Sequence, residues 1–113
     1  MRPEAWRRNK SHRSVPLDRW IWDDQKDRAN RIKHGIRFET AALAFSDPMH
    51  MTLSDPYPWE QRWQTYGLIQ QTLIVVVHTE PGVESATGDR VGRIISARKA
   101  TKSERRAFEE AKL

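Results

Sequence analysis

The chain has 113 residues, 37% hydrophobic and 31% charged, which allows one domain with a modest core. It has no cysteine, which excludes disulfides, thiolate zinc sites and a cysteine nucleophile and fits a cytoplasmic setting. No apolar run approaches the ~18 residues that cross a bilayer, so no membrane is expected. The net charge is +5, but residues 1–17 hold five Lys/Arg against one Glu, so the remaining body is close to neutral.

Residues 1–17 are basic, polar and without periodicity, and read as a flexible arm ahead of a single domain over 18–113. No apolar segment follows the basic start, so it does not read as a secretory signal. Asp18 to Trp22 predicts a short strand. Asp23 or Asp24 then caps a helix, with Asp27 at the positive end of its dipole. That helix runs to about His34, where Gly35 supplies a left-handed stop. Phe38, Ala41, Ala42 and Phe45 recur at helical spacing and predict a second helix over 38–45, ended by Asp47-Pro48.

From Met49 the period changes to two, and Met49, Met51 and Leu53 predict a half-buried strand. Asp55-Pro56-Tyr57-Pro58 is a loop, because two prolines cannot join a ladder. Arg62 to Ile69 is a strand, and Gln70-Gln71 is a tight connection. Leu73 to His78 is apolar on both faces and reads as a central strand. Residues 81–89 form a Gly-containing loop, and Val91 to Ala97 is a further strand. Thr101 and Glu104 have the spacing of a capping box, which starts a C-terminal helix. Sequential strands with short turns predict an α+β domain. Its small antiparallel sheet is packed by the N-terminal helices and a C-terminal helix.

Charge is uneven along this order. Residues 38–60 carry four acidic side chains and no Lys or Arg, whereas residues 90–113 carry eight Lys/Arg against three Glu. That asymmetry implies one positive and one negative region, a better sign of nucleic-acid contact than net charge. There is no Gly-rich phosphate loop and no Gly-x-Ser-x-Gly elbow. The four histidines are scattered, and nothing in their spacing argues for a metal or a cofactor.

Instead, cationic and acid–base residues gather on strands and strand ends. Glu60, Arg62 and Gln64 share one face by period two. His78 ends the central strand. Arg93 and Arg98 lie on its expected neighbour with opposite parity, so one site takes both only if that strand twists or ends early. RNA cleavage by the substrate's own 2′-hydroxyl needs a base, cations for the phosphorane and an acid, and Arg, His and Glu supply these without metal. Each residue also has a plainer reading. Glu60 and Arg62 can be a cross-strand pair, His78 a satisfied strand-end ring, and Arg98 and Lys99 a solvated strand end. Trp59 and Trp63 flank Glu60 and Arg62, and either can stack a base.

Several segments, in order, resemble the BrnT family of ribonuclease toxins from type II toxin–antitoxin systems. They are Trp22-Asp23 with Lys26 and Asn30; Lys33-His34-Gly35-Ile36 with Phe38-Glu39; Ala41 to Phe45 with Asp47-Pro48; and Glu60-Gln61-Arg62 with Gly67. Val76-Val77-His78-Thr79 and Arg93 to Thr101 follow, then Glu104-Arg105. The likeness spans roughly residues 20–111, and the Arg93–Thr101 motif is its most specific part. It implies a RelE-like toxin fold and an endoribonuclease that cuts RNA and halts translation. It also implies a ribbon-helix-helix, BrnA-like antitoxin encoded beside it, with operator DNA reached only through the antitoxin complex. Carried over by position, Glu60, Arg62, His78 and Arg98 are the catalytic candidates. Arg93, Lys99, Lys33, His34 and Trp59 are the RNA-binding ones. The family often has a histidine shortly before the Glu-x-Arg motif, where this chain has Tyr57-Pro58-Trp59. That departure keeps open an alternative: a catalytically weak or inactive module of the toxin fold that binds RNA or co-represses with its antitoxin.

Overall fold

The computed structural model describes residues 7–8, 18–84 and 86–111. The basic arm expected over 1–17 falls outside these residues, except for Arg7–Arg8 (β1), whose backbone pairs with Met51 and Thr52. Arg19–Ile21 is β2, Asp24–His34 is α1 and Phe38–Ala41 is α2. A 3-10 turn over Ala42–Ser46 follows, then β3 (Met51–Asp55), β4 (Arg62–Ile69), β5 (Thr72–Thr79), β6 (Gly82–Val83), β7 (Arg90–Lys99) and α3 (Lys102–Ala111).

Local chemistry explains the boundaries. The Asp23 carboxylate accepts from the amides of Gln25 (2.8 Å) and Lys26 (3.1 Å), and Gly35 ends α1 at φ 73°. At such a φ a side chain would be strained. The helix expected over 38–45 is α-helical only to Ala41 and then tightens to 3-10. There the Ala44 carbonyl lies where a Cβ on Gly67 would stand, so the bare glycine lets this segment settle onto β4. α3 opens on a reciprocal capping box, Thr101 amide to Glu104 (2.8 Å) and Glu104 amide to Thr101 (3.1 Å).

The sheet order is β1-β3-β4-β5-β7-β2, with β6 also pairing β7. The expected antiparallel sheet needs one correction. β2 pairs with β7 in parallel, so the sheet is mixed. The short strand preceding α1 returns to the far edge of β7, a long-range pairing that no hairpin specifies. β6 lies in what reads from sequence as plain loop.

Beyond β2, the outer edge of β7 is completed by a side chain. Buried Asn30 donates to the carbonyls of Ala97 (2.8 Å) and Ile36 (3.0 Å) and accepts from the Ala97 amide (3.0 Å). Its amide group thus stands in for a strand residue and ties α1 to the sheet. The two faces of the sheet bury separate clusters. Phe38, Ala41, Ala44, Ile74, Val76 and Ile94 pack beneath the N-terminal helices. Met51, Tyr66, Leu73 and Val75 pack beneath Phe108 and Ala111 of α3. No helix among the described residues is long and apolar enough to cross a membrane.

Candidate active site

The two-residue turn at Gln70–Gln71, with Gln70 at φ 57°, fixes the β4–β5 register so that Arg62 faces Thr79 and Trp63 faces His78. Period-two geometry then sends Arg62, Gln64 and Tyr66 to the α3 face and Trp63, Thr65 and Gly67 to the other. α3 covers only part of its face. The remainder, around Arg62, is polar.

β7 supplies two more arginines to that face, which an unbroken strand could not do. Val77 faces Ser96, but the next residue, His78, faces Ile94, leaving Ile95 as one extra residue in β7. Such a β-bulge reverses parity along the strand. Arg93 and Arg98, of opposite parity in the sequence, therefore end on one face. The Arg93 amide donates to the Thr79 hydroxyl at 3.0 Å, which fastens the strand just before the bulge.

Glu60 joins β4 to β7. One carboxylate oxygen, Oε1, accepts from Arg62 Nε (3.0 Å) and from an Arg93 terminal nitrogen (2.8 Å). The Arg62 hydrogen bond, and then the Arg93 one, hold the Glu60 carboxyl below the usual carboxylate range. The Arg62 guanidinium also lies over the Tyr57 ring, 3.6 Å from its centroid.

A second set of contacts surrounds Arg98. Its guanidinium meets Glu104 in a two-pronged pair at 2.7 and 2.9 Å. Arg98 pulls the Glu104 carboxyl down to about 2, and Glu104 in turn raises Arg98. The Tyr66 hydroxyl lies 2.9 Å from Gln64 Oε1 and 3.0 Å from Glu104 Oε2. Burial and the Glu104 charge raise its pKa, so it stays a proton donor. Gln64 donates to Asp55 at 2.7 Å, which closes the strip.

The expected site residues divide by face. Glu60, Arg62 and Arg93 come together, and Arg98 lies on the same face farther along the sheet, paired with Glu104. Trp59, 83% exposed, sits beside Glu60. His78 does not join them. It points to the opposite face and is buried edge-on against Trp20 (4.9 Å) and Phe45 (5.0 Å). Its Nδ1 donates to the Thr79 carbonyl (2.8 Å), so Nε2 accepts from the Thr65 hydroxyl (2.6 Å). Burial lowers its pKa to about 4. His78 thus stands apart from the arginine face as a neutral core ring with both nitrogens bonded. Lys99 faces Ile74 on that same far side, and Lys33 and His34 end α1, which packs there. None of the three reaches Arg62.

Sequence reasoning missed Glu104 and Tyr66 as parts of this surface. The signal for Glu104 was present, since a capping box turns its carboxylate back toward Thr101, three residues after Arg98. Tyr66 shares the parity of Arg62 and Gln64. Among the described residues, no cluster of three His, Asp or Glu side chains forms.

A family model described as "Ribonuclease toxin, BrnT, of type II toxin-antitoxin system" matches residues 22–104. The chain belongs to this family. A search of curated proteins finds no match. Membership in the BrnT family makes this a ribonuclease toxin whose substrate is RNA and whose partner is an antitoxin protein. The matched span contains β4, β5, β7 and the start of α3, and so every residue of the arginine face.

Proposed function

We propose that the chain is a metal-independent endoribonuclease whose active site is the face formed by Glu60, Arg62, Arg93 and Arg98. The fold we assign is RelE-like. It acts on RNA in the cytoplasm, halts translation and is neutralised by a ribbon-helix-helix antitoxin of the BrnA type. Operator DNA is reached only through that complex. The observation that carries this reading is the bulge at Ile95, which sets Arg93 and Arg98 on the same open face as Arg62. Guanidinium groups on one face grip a phosphodiester and stabilise the charge that grows on its oxygens.

The roles follow from chemistry. Arg62, Arg93 and Arg98 hold the scissile phosphate. Phosphate oxygens that draw Arg62 and Arg93 away from Glu60 also remove the bonds that depress its pKa, so its basicity returns when substrate is bound. Glu60 then takes the 2′-hydroxyl proton, the O2′–P bond forms and the P–O5′ bond breaks. The leaving 5′ oxygen takes a proton from water. The products are a 2′,3′-cyclic phosphate and a 5′-hydroxyl. Trp59 offers a ring on which a neighbouring base stacks. Lys33, His34 and Lys99 have no part in this site.

A second reading is favoured by one observation. Glu60, Glu104 and Tyr66 all have pKa values moved away from neutrality, and Tyr57-Pro58-Trp59, just before Glu60, holds no histidine. That arrangement suits a weak or inactive module that binds RNA or co-represses with the antitoxin. Incubating purified protein with RNA separates the two. The first reading expects cleavage to cyclic-phosphate ends, reduced on the order of 100-fold in Arg62→Ala and in Arg98→Ala. Folded wild type that binds RNA and leaves it whole would establish the second.

A further inference from the structure

We infer that the groove between the end of α1, α2 and the β4–β5 hairpin is a docking site for the antitoxin. The segment it takes is apolar with acidic flanks. The inference rests on the family reading that a protein antitoxin binds this chain.

The groove has a volume of about 440 Å³. Ile36, Ile69 and Ile74 line it, Arg31 and Arg37 flank it, and no Asp or Glu contributes to its lining. Ile32, the residue after Arg31 on α1, is 79% exposed. Lys33 at the end of α1, and Lys99 across from Ile74, add positive charge to this side of the sheet.

Charge pairing decides between this surface and the arginine face. Arg62, Arg93 and Arg98 already hold the carboxylates of Glu60 and Glu104. An acidic segment docking there must displace both. Arg31 and Arg37 form no ion pair with any described residue. A carboxylate arriving at the groove gains guanidinium partners without breaking existing ones, while apolar side chains fill the floor. Ile69, Thr72 and Ile74 point away from the Arg62 face, so the groove lies on the other side of the sheet. The antitoxin is therefore anchored away from the arginine face.

The test uses the full chain and the protein encoded beside it, purified separately. Two variants are compared with wild type: Arg31→Glu with Arg37→Glu, and Thr72→Trp, which fills the groove without changing charge. Both alter exposed residues outside the arginine face, and thermal melting checks that they fold. We expect both to cleave RNA as wild type does, to bind the antitoxin at least tenfold more weakly and to resist neutralisation. Unchanged antitoxin affinity in both variants would overturn the inference. So would loss of RNA cleavage with antitoxin binding intact, which would give the groove to RNA. If wild type cleaves no RNA but its antitoxin binding still depends on Arg31 and Arg37, the docking site stands and the ribonuclease reading falls.

Discussion

Replacing Asn30 by alanine should be among the most damaging single changes on the helix side of the sheet. The side chain is buried and makes three hydrogen bonds to backbone, two of them to Ala97. Alanine would leave the Ala97 amide and carbonyl and the Ile36 carbonyl without partners. Each net bond contributes about 1 kcal/mol, and a buried group left unpaired costs about 1–3 kcal/mol. The combined loss is about 3–5 kcal/mol, a large part of the roughly 5–15 kcal/mol that holds a domain together. At about 4–8 °C per kcal/mol for a domain of this size, the midpoint should fall by at least ~12 °C. Urea unfolding followed by tryptophan fluorescence measures it, with an unchanged slope expected. Asn30→Asp should be no better, because it places a carboxylate against two carbonyls. A loss below about 1 kcal/mol would mean that the β7 edge does not depend on this amide, and the argument for its strand-like role would fail.

Two further outcomes are expected. His78 titrates near 6.5 when unfolded but near 4 when folded, so between those values the unfolded chain binds the extra proton. Its contribution is fully present above pH 6.5 and is lost as pH falls toward 4, by at most about 3 kcal/mol. His78→Gln should flatten that part of the stability–pH curve, and parallel curves would refute the assignment. RNA binding through three phosphate contacts should show a log–log salt slope near −2, about a twentyfold loss from 50 to 200 mM salt. Arg98→Ala should lower the slope by about 0.7, whereas an affinity independent of salt would rule out phosphate contacts as its basis.

The parts of the fold that were legible in the sequence are those fixed by local chemistry. Asp23 and Gly35 bracket α1, the Thr101–Glu104 box opens α3, and the β4 boundaries follow from alternation and the turn after Ile69. What was not legible depends on distant partners. Nothing near Arg19 says that β2 will lie parallel to β7. An extra residue at Ile95 leaves no local mark, so whether Arg93 and Arg98 share a face could only be posed as a condition. The true face of His78 was within reach. A two-residue turn after Ile69 already sets Trp63 opposite His78 and Arg62 opposite Thr79, which separates the histidine from the arginines.

Glu104 serves two masters with two oxygens. Oε1 meets the Thr101 amide and Arg98, and Oε2 meets Tyr66 and Arg98. If a phosphate draws Arg98 away, each oxygen keeps one partner. The first turn of α3 therefore need not unwind when the arginine changes hands. Under the proposed function, the exchange would be a swap of anions on a fixed frame, with Glu104 holding the place of the phosphate between substrates.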